Sequence, residues 1–385
     1  MKAFYTLLLM ITVLFNSSTF AQSYDSYYGS IVSQCSFDSI DANLTQFENL
    51  GVKEIGTAAL DNTLNWLINK YTSYGYTNIE IDTFTYCSIN AYNLIVTKQG
   101  TVYPNTYVIV DGHYDTSTGT GTNDNGSGVS IILETARLLQ NINTKYSIKF
   151  INFSQEEVGF VGSWNYVNNT VIPTNLNIKV LLNIDEVGGV FGMVNNTIVC
   201  ERDESTPFAS NAASADYTDT LANCVSLYSN LLTEISYAYS SDYIPFQFNN
   251  EIITGLFEKN ESTHPHTATD FKINMDVNYV YEIAKATIGA SLYFAVAYLT
   301  TDIKQENKSN FSVYPNPAKD RLTINLGDIP LKNTTLKLVN VIGETVLEKQ
   351  VNANSETLTI SHLPAGVYSL IITTPTERFT EKIVN

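Results

Sequence analysis

Residues 107–115 read YVIVDGHYD, an apolar run that leads directly to His113 and Asp115. A turn-rich stretch with glycines on both sides follows, and Asn123-Asp124-Asn125 lies inside it. A neutral imidazole and a carboxylate this close together offer the nitrogen and oxygen ligands that a borderline-soft divalent metal such as zinc accepts. The segment therefore indicates a strand that runs into a candidate metal-binding loop, and it favours a hydrolase.

The pattern of an apolar strand followed by polar residues recurs along the chain. Further strand candidates lie at residues 93–97, 148–154 and 180–185, and residues 128–140 have the apolar spacing of a helix. Strands that alternate with helices, and that are apolar almost throughout, predict an α/β fold with a buried mixed or parallel sheet.

Three of the strand candidates end at residues that can carry chemistry. His113, the pair Glu156-Glu157 and Asp185 each lie at or just beyond the end of an apolar strand. Ligand sites of open α/β sheets lie at the carboxyl ends of strands, so these side chains are expected to converge. Taken singly, a Glu-Glu pair is usually a solvated surface, and Asp185 could be a cap or turn residue.

Few histidines other than His113 are candidates for a metal ligand. The chain has four, and His266, in His266-Thr267-Ala268-Thr269-Asp270, is the second candidate imidazole. His264 lies two residues earlier and could be mistaken for it, whereas His362 falls in a different, β-rich region.

Composition and the N-terminal residues bear on where the protein works. The formal charge of −17 over 385 residues argues against nucleic acid or an anionic membrane surface as a partner. Residues 1–21, with Lys2, an apolar core and a final Ala21, predict a cleaved signal peptide. A membrane anchor is the alternative, but the apolar run is short for a bilayer, and residues 279–299 read as a buried helix. No membrane span is therefore expected in the mature protein.

Export changes how the four cysteines are interpreted. An even number in an oxidising compartment favours two disulfides, and no CxxC pair suggests a zinc-thiolate site. Three connectivities are possible, and the sequence-local one, Cys35–Cys87 with Cys200–Cys224, is our expectation.

The last part of the chain has a different character. A polar linker is predicted at 301–310. Six short strand candidates with turn signals between them then predict a small all-β, immunoglobulin-like sandwich over 311–385.

Six separated motifs, in one order, resemble the M28 family of co-catalytic zinc aminopeptidases between about Tyr107 and Asp270. They are His113-x-Asp115, Asn123-Asp124-Asn125-Gly126-Ser127-Gly128, Glu156-Glu157, Asp185, Ser241-Asp242 and His266-Thr267-x-x-Asp270. The resemblance implies a zinc-exopeptidase-like fold over 22–300, with a mixed, mostly parallel sheet flanked by helices. It also implies two zinc ions that serve to remove the N-terminal residue of peptides with a free N-terminus.

The resemblance also implies a role for each site residue. Asp124 would bridge both zinc ions, His113 and Asp185 would complete one site, and Glu157 and His266 would complete the other. Glu156 would be the general base, with the zinc pair lowering the pKa of a bridging water. Asp115 would fix the tautomer and orientation of His113 through its other ring nitrogen.

The chain departs from the M28 pattern after Ser241-Asp242. Many relatives have a histidine at the next position, where this chain has Tyr243, so that position is assigned no metal. A tyrosine of this region could donate to the oxyanion, and Tyr237, Tyr239 and Tyr243 remain alternatives.

The C-terminal residues resemble type IX secretion sorting domains. The motifs are Tyr314-Pro315-Asn316-Pro317, Leu363-Pro364-Ala365-Gly366-Val367-Tyr368 and a basic end near Arg378 and Lys382. The resemblance implies recognition by the type IX machinery and passage through the periplasm of a Gram-negative cell to its surface or the medium. A carbohydrate-binding or spacer sandwich is the alternative.

Two other classes of function remain open. Another zinc hydrolase or acyl transferase could use the same scaffold, such as a carboxypeptidase, a dipeptidase or a glutaminyl-cyclase-like enzyme. Cyclase relatives use one zinc and lack the pattern of residues 123–128, which counts against them. A non-catalytic binding protein would have lost a metal ligand or the base, and no such loss is visible in the sequence.

Overall fold

The computed structural model describes residues 22–299, 311–327, 329–375 and 378–385. Their contacts group them into two compact units, one up to Leu299 and the other in the remainder of the chain. The predicted signal peptide (1–21) and the predicted linker (301–310) lie outside the described residues.

An eight-stranded sheet forms the centre of the first unit. The strand order is β1-β2-β4-β3-β5-β8-β6-β7, and four of the seven neighbouring pairs are parallel. The sheet is therefore mixed and mostly parallel. The strands are β1 (Ile79–Tyr86), β2 (Ile89–Lys98), β3 (Tyr103–His113), β4 (Tyr146–Phe153), β5 (Asn177–Ile184), β6 (Thr197–Arg202), β7 (Leu232–Tyr237) and β8 (Ile253–Glu258).

Helices cover both faces of this sheet. Val108 and Val110 of β3 belong to the core cluster that includes α1 to α4, α7 and α9, whereas Ile109 belongs to a second cluster with residues of α5 and α8. Both faces are buried, which explains why the central strands are apolar almost throughout. The α-helices are α1 (Ser26–Val32), α2 (Phe37–Asn49), α3 (Ala58–Ser73), α4 (Gly126–Leu139), α5 (Val161–Tyr166), α6 (Ile172–Thr174), α7 (Asn211–Tyr228), α8 (Ile244–Phe248) and α9 (Val277–Ala295).

The loop between β3 and α4 is fixed at its junction with the helix. Asn125 is the N-cap of α4, and its Oδ1 accepts a hydrogen bond from the N–H of Gly128 at 2.9 Å. The Asn125 Nδ2 donates to the carbonyl oxygen of Ile184 at 2.8 Å, at the end of β5. A Cβ at Gly128 would lie 2.3 Å from the same carbonyl oxygen, so only glycine allows this close approach. One asparagine therefore ties the loop to the neighbouring strand.

The elements predicted before residue 190 agree with the structure. The strands predicted at 93–97, 107–111, 148–154 and 180–185 correspond to β2 to β5, and the helix predicted at 128–140 corresponds to α4. The apolar stretch at 279–299 is mainly the buried helix α9. Among the described residues, no helix has both the length and the apolar character needed to cross a membrane.

The strands described in the second unit all pair antiparallel. It has one sheet of order β13-β10-β9 and another of order β12-β11-β14-β15 around a single apolar core, as expected for a small sandwich. The strands are β9 (Ser312–Tyr314), β10 (Arg321–Asn325), β11 (Thr335–Val339), β12 (Thr345–Gln350), β13 (Ser355–Thr359), β14 (Val367–Thr373) and β15 (Arg378–Val384).

The disulfide prediction is wrong. All four cysteines fall in the described ranges, and each is a free thiol. Cys35 is buried close to Glu134 of α4, whereas Cys87 lies exposed at the turn between β1 and β2. Cys200 and Cys224 are both buried in the apolar core, on β6 and α7, where each thiol packs as a small apolar group. The even number of cysteines is therefore a misleading sign of disulfides, because these thiols either pack in the core or lie apart.

Candidate metal centre

The residues predicted to carry the chemistry lie at one edge of the sheet. β4, β3 and β5 are parallel neighbours, so their carboxyl ends meet there. His113 is the last residue of β3, Glu156 and Glu157 follow β4, and Asp185 comes directly after β5. The loop before α4 and the loop after β8 add one side chain each.

One group of candidate ligands is deeply buried. The Nε2 atom of His113 lies 3.1 Å from Oδ1 of Asp124 and 3.2 Å from Oδ1 of Asp185. The ligand atoms of these three residues all lie within 4.8 Å of one another, a spacing that one metal ion can span. The side chain of His113 is only 1% exposed.

A second group lies on the solvent side of the first. The Nε2 atom of His266 lies 3.0 Å from Oδ2 of Asp124 and 2.9 Å from Oε2 of Glu157. The side chain of His266 is 63% exposed, so this group borders the solvent. Asp124 belongs to both groups, and its two oxygens face different histidines, which is the arrangement that a bridging carboxylate requires.

In each group, a hydrogen bond holds one oxygen of the carboxylate that the two groups do not share. Ser241 Oγ donates to Oδ2 of Asp185 at 2.7 Å, and the backbone N–H of Ser117 donates to Oε1 of Glu157 at 2.9 Å. The other oxygens, Oδ1 of Asp185 and Oε2 of Glu157, are the ones that face the histidines. Such partners orient a ligand atom toward a metal.

Asp115 contacts the site through both its backbone carbonyl oxygen and its carboxylate. The Nδ1 atom of His113 lies 3.1 Å from the backbone carbonyl oxygen of Asp115 and 3.6 Å from its carboxylate. An Nδ1–H that donates to this carbonyl leaves Nε2 free to bind a metal. The Asp115 carboxylate instead accepts from the backbone N–H groups of Glu156 (3.1 Å) and Glu157 (3.4 Å). It thereby holds the segment after β4 against β3.

Glu156 occupies a position apart from both groups. Its Oε2 atom lies 4.0 Å from Nε2 of His113, and its side chain lines the cavity beside the candidate ligands. Burial raises the pKa of Glu156 well above its ordinary value, and Asp185 adds to the effect, although His113 opposes it. A carboxyl group with a raised pKa is suited to accept and return a proton.

Asp270 is a positioning residue to which the sequence motif assigns no role. Its Oδ1 and Oδ2 atoms accept hydrogen bonds from the backbone N–H groups of Asn123 (2.8 Å) and Asp124 (3.1 Å). Glu258 acts in a similar way nearby, since its carboxylate accepts from Asn123 Nδ2, Gly189 N and Ser262 N at 3.0, 2.6 and 2.6 Å. Apart from the motif that contains Asp270, an acidic side chain is the sequence signal for such contacts, and it is not specific.

A cavity of about 310 Å³ lies over the site. Of the three tyrosines considered, only Tyr239 is among its lining residues. Tyr243 is buried, and its hydroxyl donates to Oε2 of Glu201 at 3.0 Å while it accepts from the N–H groups of Tyr239 and Ser240. The hydroxyl of Tyr243 is therefore already hydrogen-bonded, and the residue is not part of the cavity lining. The full lining consists of Asp124, Glu156, Glu157, Gly159, Phe160, Asp185, Glu186, Tyr239, Ser240, Phe257 and His266.

The donor set fits divalent zinc. Each group has one imidazole and two carboxylates, and three protein ligands with an open position are typical of catalytic zinc.

The cluster of candidate ligands also has an excess of negative charge. Hydrogen bonds with Asp124 and Glu157 raise the pKa of His266 to about 11, and burial raises that of Glu186 to about 10. Bound cations would supply the positive charge that these groups otherwise take from protons.

Comparison with known proteins places both parts of the chain in families. The sequence model of peptidase family M28 matches residues 93–290, and that of the secretion system C-terminal sorting domain matches residues 312–385. The first range is half of the chain and contains every candidate ligand described above.

Individual relatives match over shorter lengths. Leupeptin-inactivating enzyme 1 of Streptomyces exfoliatus is 32% identical over 159 residues, which are 39% of this chain and 36% of the relative. Aminopeptidase YwaD of Bacillus subtilis is 33% identical over 142 residues, 36% of this chain and 29% of the relative. The chain thus spans about a third of the length of these two curated relatives.

Among solved structures, the fold is similar to that of the LapA aminopeptidase of Legionella pneumophila. The TM-score is 0.61 at 21% identity, with 71% of this chain and 77% of that chain covered. At this identity the likeness concerns the fold alone. From the match over residues 93–290 it follows that the chain belongs to peptidase family M28, with a secretion-system sorting domain at its C-terminus.

Proposed function

We propose that this protein is an exported aminopeptidase that uses two zinc ions to remove the N-terminal residue of peptides. The observation that carries the proposal is the position of Asp124, whose two carboxylate oxygens face His113 on one side and His266 on the other. Membership of family M28 and the similarity to an aminopeptidase of Bacillus subtilis support the reaction class.

Five residues would hold the metal ions. His113 and Asp185 would bind one zinc, Glu157 and His266 would bind the other, and Asp124 would bind both. When bound, zinc supplies Lewis acidity to a water molecule and to the scissile carbonyl group. The carboxylates that form the groups also offset the repulsion between two close cations.

Glu156 would act as the general base. It lines the cavity, it lies 4.0 Å from His113, and no other role in the site is assigned to it. It would take a proton from the attacking water and return it to the amine that leaves. A positioned base of this kind contributes about 10²–10⁴-fold to the rate.

Tyr239 is the tyrosine that we propose as a donor to the oxyanion. It is exposed to the cavity, whereas the hydroxyl of Tyr243 already donates to Glu201. A hydroxyl that points to developing negative charge lowers the barrier to acyl transfer.

The sorting domain supports export through the type IX machinery. This route would carry the protein through the periplasm of a Gram-negative cell, with recognition of residues 311–385 and removal of residues 1–21. The catalytic unit would then act at the cell surface or in the medium.

The test is a panel of aminoacyl fluorogenic substrates and N-blocked counterparts, with the metal content measured on the same sample. We expect cleavage of the free-amine substrates only, with about two zinc ions per chain and loss of activity on chelation. Cleavage of blocked substrates or release of C-terminal residues would point instead to another hydrolase. Ammonia release from peptides with N-terminal glutamine, without peptide cleavage, would indicate a cyclase.

A further inference from the structure

Glu186 is the one acidic residue of the cavity lining that the proposed chemistry does not use. Five carboxylates line the cavity, and four of them have roles as metal ligands or as the base. Glu186 directly follows Asp185, yet it belongs to neither of the two ligand groups found among the described residues. Its presence beside the reacting centre therefore needs a separate explanation.

The Glu186 carboxylate has no donor of its own. Among the described residues, no N–H or O–H group donates a hydrogen bond to it, although it lies within hydrogen-bonding reach of Asp124. Glu258 makes the contrast clear, since three N–H groups satisfy its carboxylate. A half-buried carboxylate without a donor, next to the cavity, is free to bind a positively charged group.

The backbone holds Glu186 in this position. Its φ is 44°, in the left-handed region that a glutamate adopts only at a cost. Its carbonyl oxygen accepts from the N–H of Glu258 at 2.9 Å. The next two N–H groups, of Val187 and Gly188, donate to Ser127 Oγ (3.0 Å) and Asn123 Oδ1 (2.7 Å). These contacts fix the backbone at Glu186 and at the two residues that follow it.

We propose that Glu186 binds the α-ammonium group of the substrate and thereby restricts the reaction to free N-termini. This inference rests on the proposed aminopeptidase function. The α-nitrogen is attached to the carbon next to the scissile carbonyl, so it must lie close to the metal centre. The carboxylate beside Asp124 is at that place, and an ammonium group offers it the N–H donors that the protein does not.

Glu258, another carboxylate close to the cavity, cannot take this role. It directly follows the lining residue Phe257, but it is only 1% exposed and its carboxylate already accepts three hydrogen bonds. Breaking these bonds would release the loops that carry Asn123 and Gly189. Glu258 thus organises the loops, and Glu186 meets the substrate.

The experiment compares two substrates that differ only in the α-substituent. One is leucyl aminomethylcoumarin, and the other carries a hydroxyl in place of the amine. In the E186Q variant of the zinc-loaded full chain, we expect kcat/KM for the amine substrate to fall about 10–100-fold, the size of one charge-assisted hydrogen bond. The value for the hydroxyl substrate should stay unchanged. Glu261→Gln, an exposed glutamate outside the cavity lining, is the matched control and should affect neither substrate.

A binding measurement completes the test without turnover. Isoamylamine should bind more tightly than isoamyl alcohol to the wild-type protein, and E186Q should remove the difference while the zinc content and Tm stay the same. Equal loss for both substrates, or loss of zinc, would overturn the proposal, because Glu186 would then be structural or a ligand. A loss confined to lysyl and arginyl substrates would also overturn it, since Glu186 would then bind the side chain.

The two proposals fail in different ways. If the wild-type protein cleaves no aminoacyl substrate, the proposed function is wrong, and the amine and alcohol still test Glu186 by binding. If it cleaves them and E186Q discriminates between the amine and the hydroxyl substrate as well as the wild type does, only the inference about Glu186 is wrong.

Discussion

Asp270 fixes the main chain of Asp124: its Oδ2 atom accepts the hydrogen bond of the Asp124 N–H at 3.1 Å. Oδ1 accepts from Asn123 at 2.8 Å, and the backbone carbonyl of Asp270 accepts from Thr120 Oγ1 at 2.6 Å. Since Asp270 lies four residues after His266, the loop with the shared carboxylate and the loop with the exposed histidine are joined. The separation of Asp124 and His266 therefore depends on a residue that belongs to neither group of candidate ligands.

Replacing Asp270 with asparagine should loosen metal binding. The amide places an N–H₂ group against one of the two backbone donors, so one of the two hydrogen bonds is lost. We expect zinc affinity, measured by competition with a chelator, to fall about 10–100-fold, as for other residues that orient metal ligands. Asp219→Asn on the exposed face of α7 is the control. Unchanged affinity in D270N would mean that the loop holds its shape without this contact.

Glu156→Gln should separate metal binding from catalysis. The amide keeps the shape of the side chain but cannot accept the proton, so kcat should fall about 10²–10⁴-fold. Zinc content and Tm should stay the same, because Glu156 belongs to neither ligand group. Turnover near the wild-type rate would remove Glu156 from the role of base.

Asp124→Ala should disturb both metal ions at once. No other residue is shared by the two groups of candidate ligands found in the described part of the chain. We expect metal analysis after dialysis to give less than one zinc per chain, while circular dichroism shows that the fold is retained. Two tightly bound zinc ions in this variant would refute the bridging assignment.

Deleting residues 311–385 should affect delivery and not the reaction. The chain forms two compact units, and every lining residue of the cavity lies in the first. We expect the truncated chain, made in the cytosol or refolded, to keep its kcat/KM, whereas the exporting cell should no longer place it at its surface. An inactive truncation would show that the tail contributes to the catalytic fold.

The sequence is sufficient to predict the half of the sheet that carries most of the site. Strands β3 to β5 are apolar runs that end at chemistry-bearing residues, so the pattern alone predicts that His113 and Asp185 share one edge. The order of the far strands cannot be predicted in this way. β8 lies between β5 and β6 and pairs antiparallel with β6, and this depends on long-range packing that no local pattern encodes.

The contacts around the ligands are harder to predict. The motif implies that Asp115 orients His113, but it does not indicate that the carbonyl oxygen of Asp115 is the nearer atom or that its carboxylate mainly binds backbone N–H groups after β4. Glu186 gives no signal beyond being acidic, and the motif that contains Asp270 assigns it no role. Their roles depend on the direction of a side chain in a loop, which spacing along the chain does not determine. The even number of cysteines does not predict disulfides for a related reason, since a count says nothing about the distance between two thiols.

The unequal burial of the two histidines has a practical consequence for handling the protein. His113 is 1% exposed and His266 is 63% exposed, so the outer metal would exchange with bulk solution far sooner than the inner one. Brief treatment with a chelator should therefore leave a half-loaded species with zinc at His113 only. Adding cobalt to that species would give a heterobimetallic protein whose visible spectrum reports on the outer position alone.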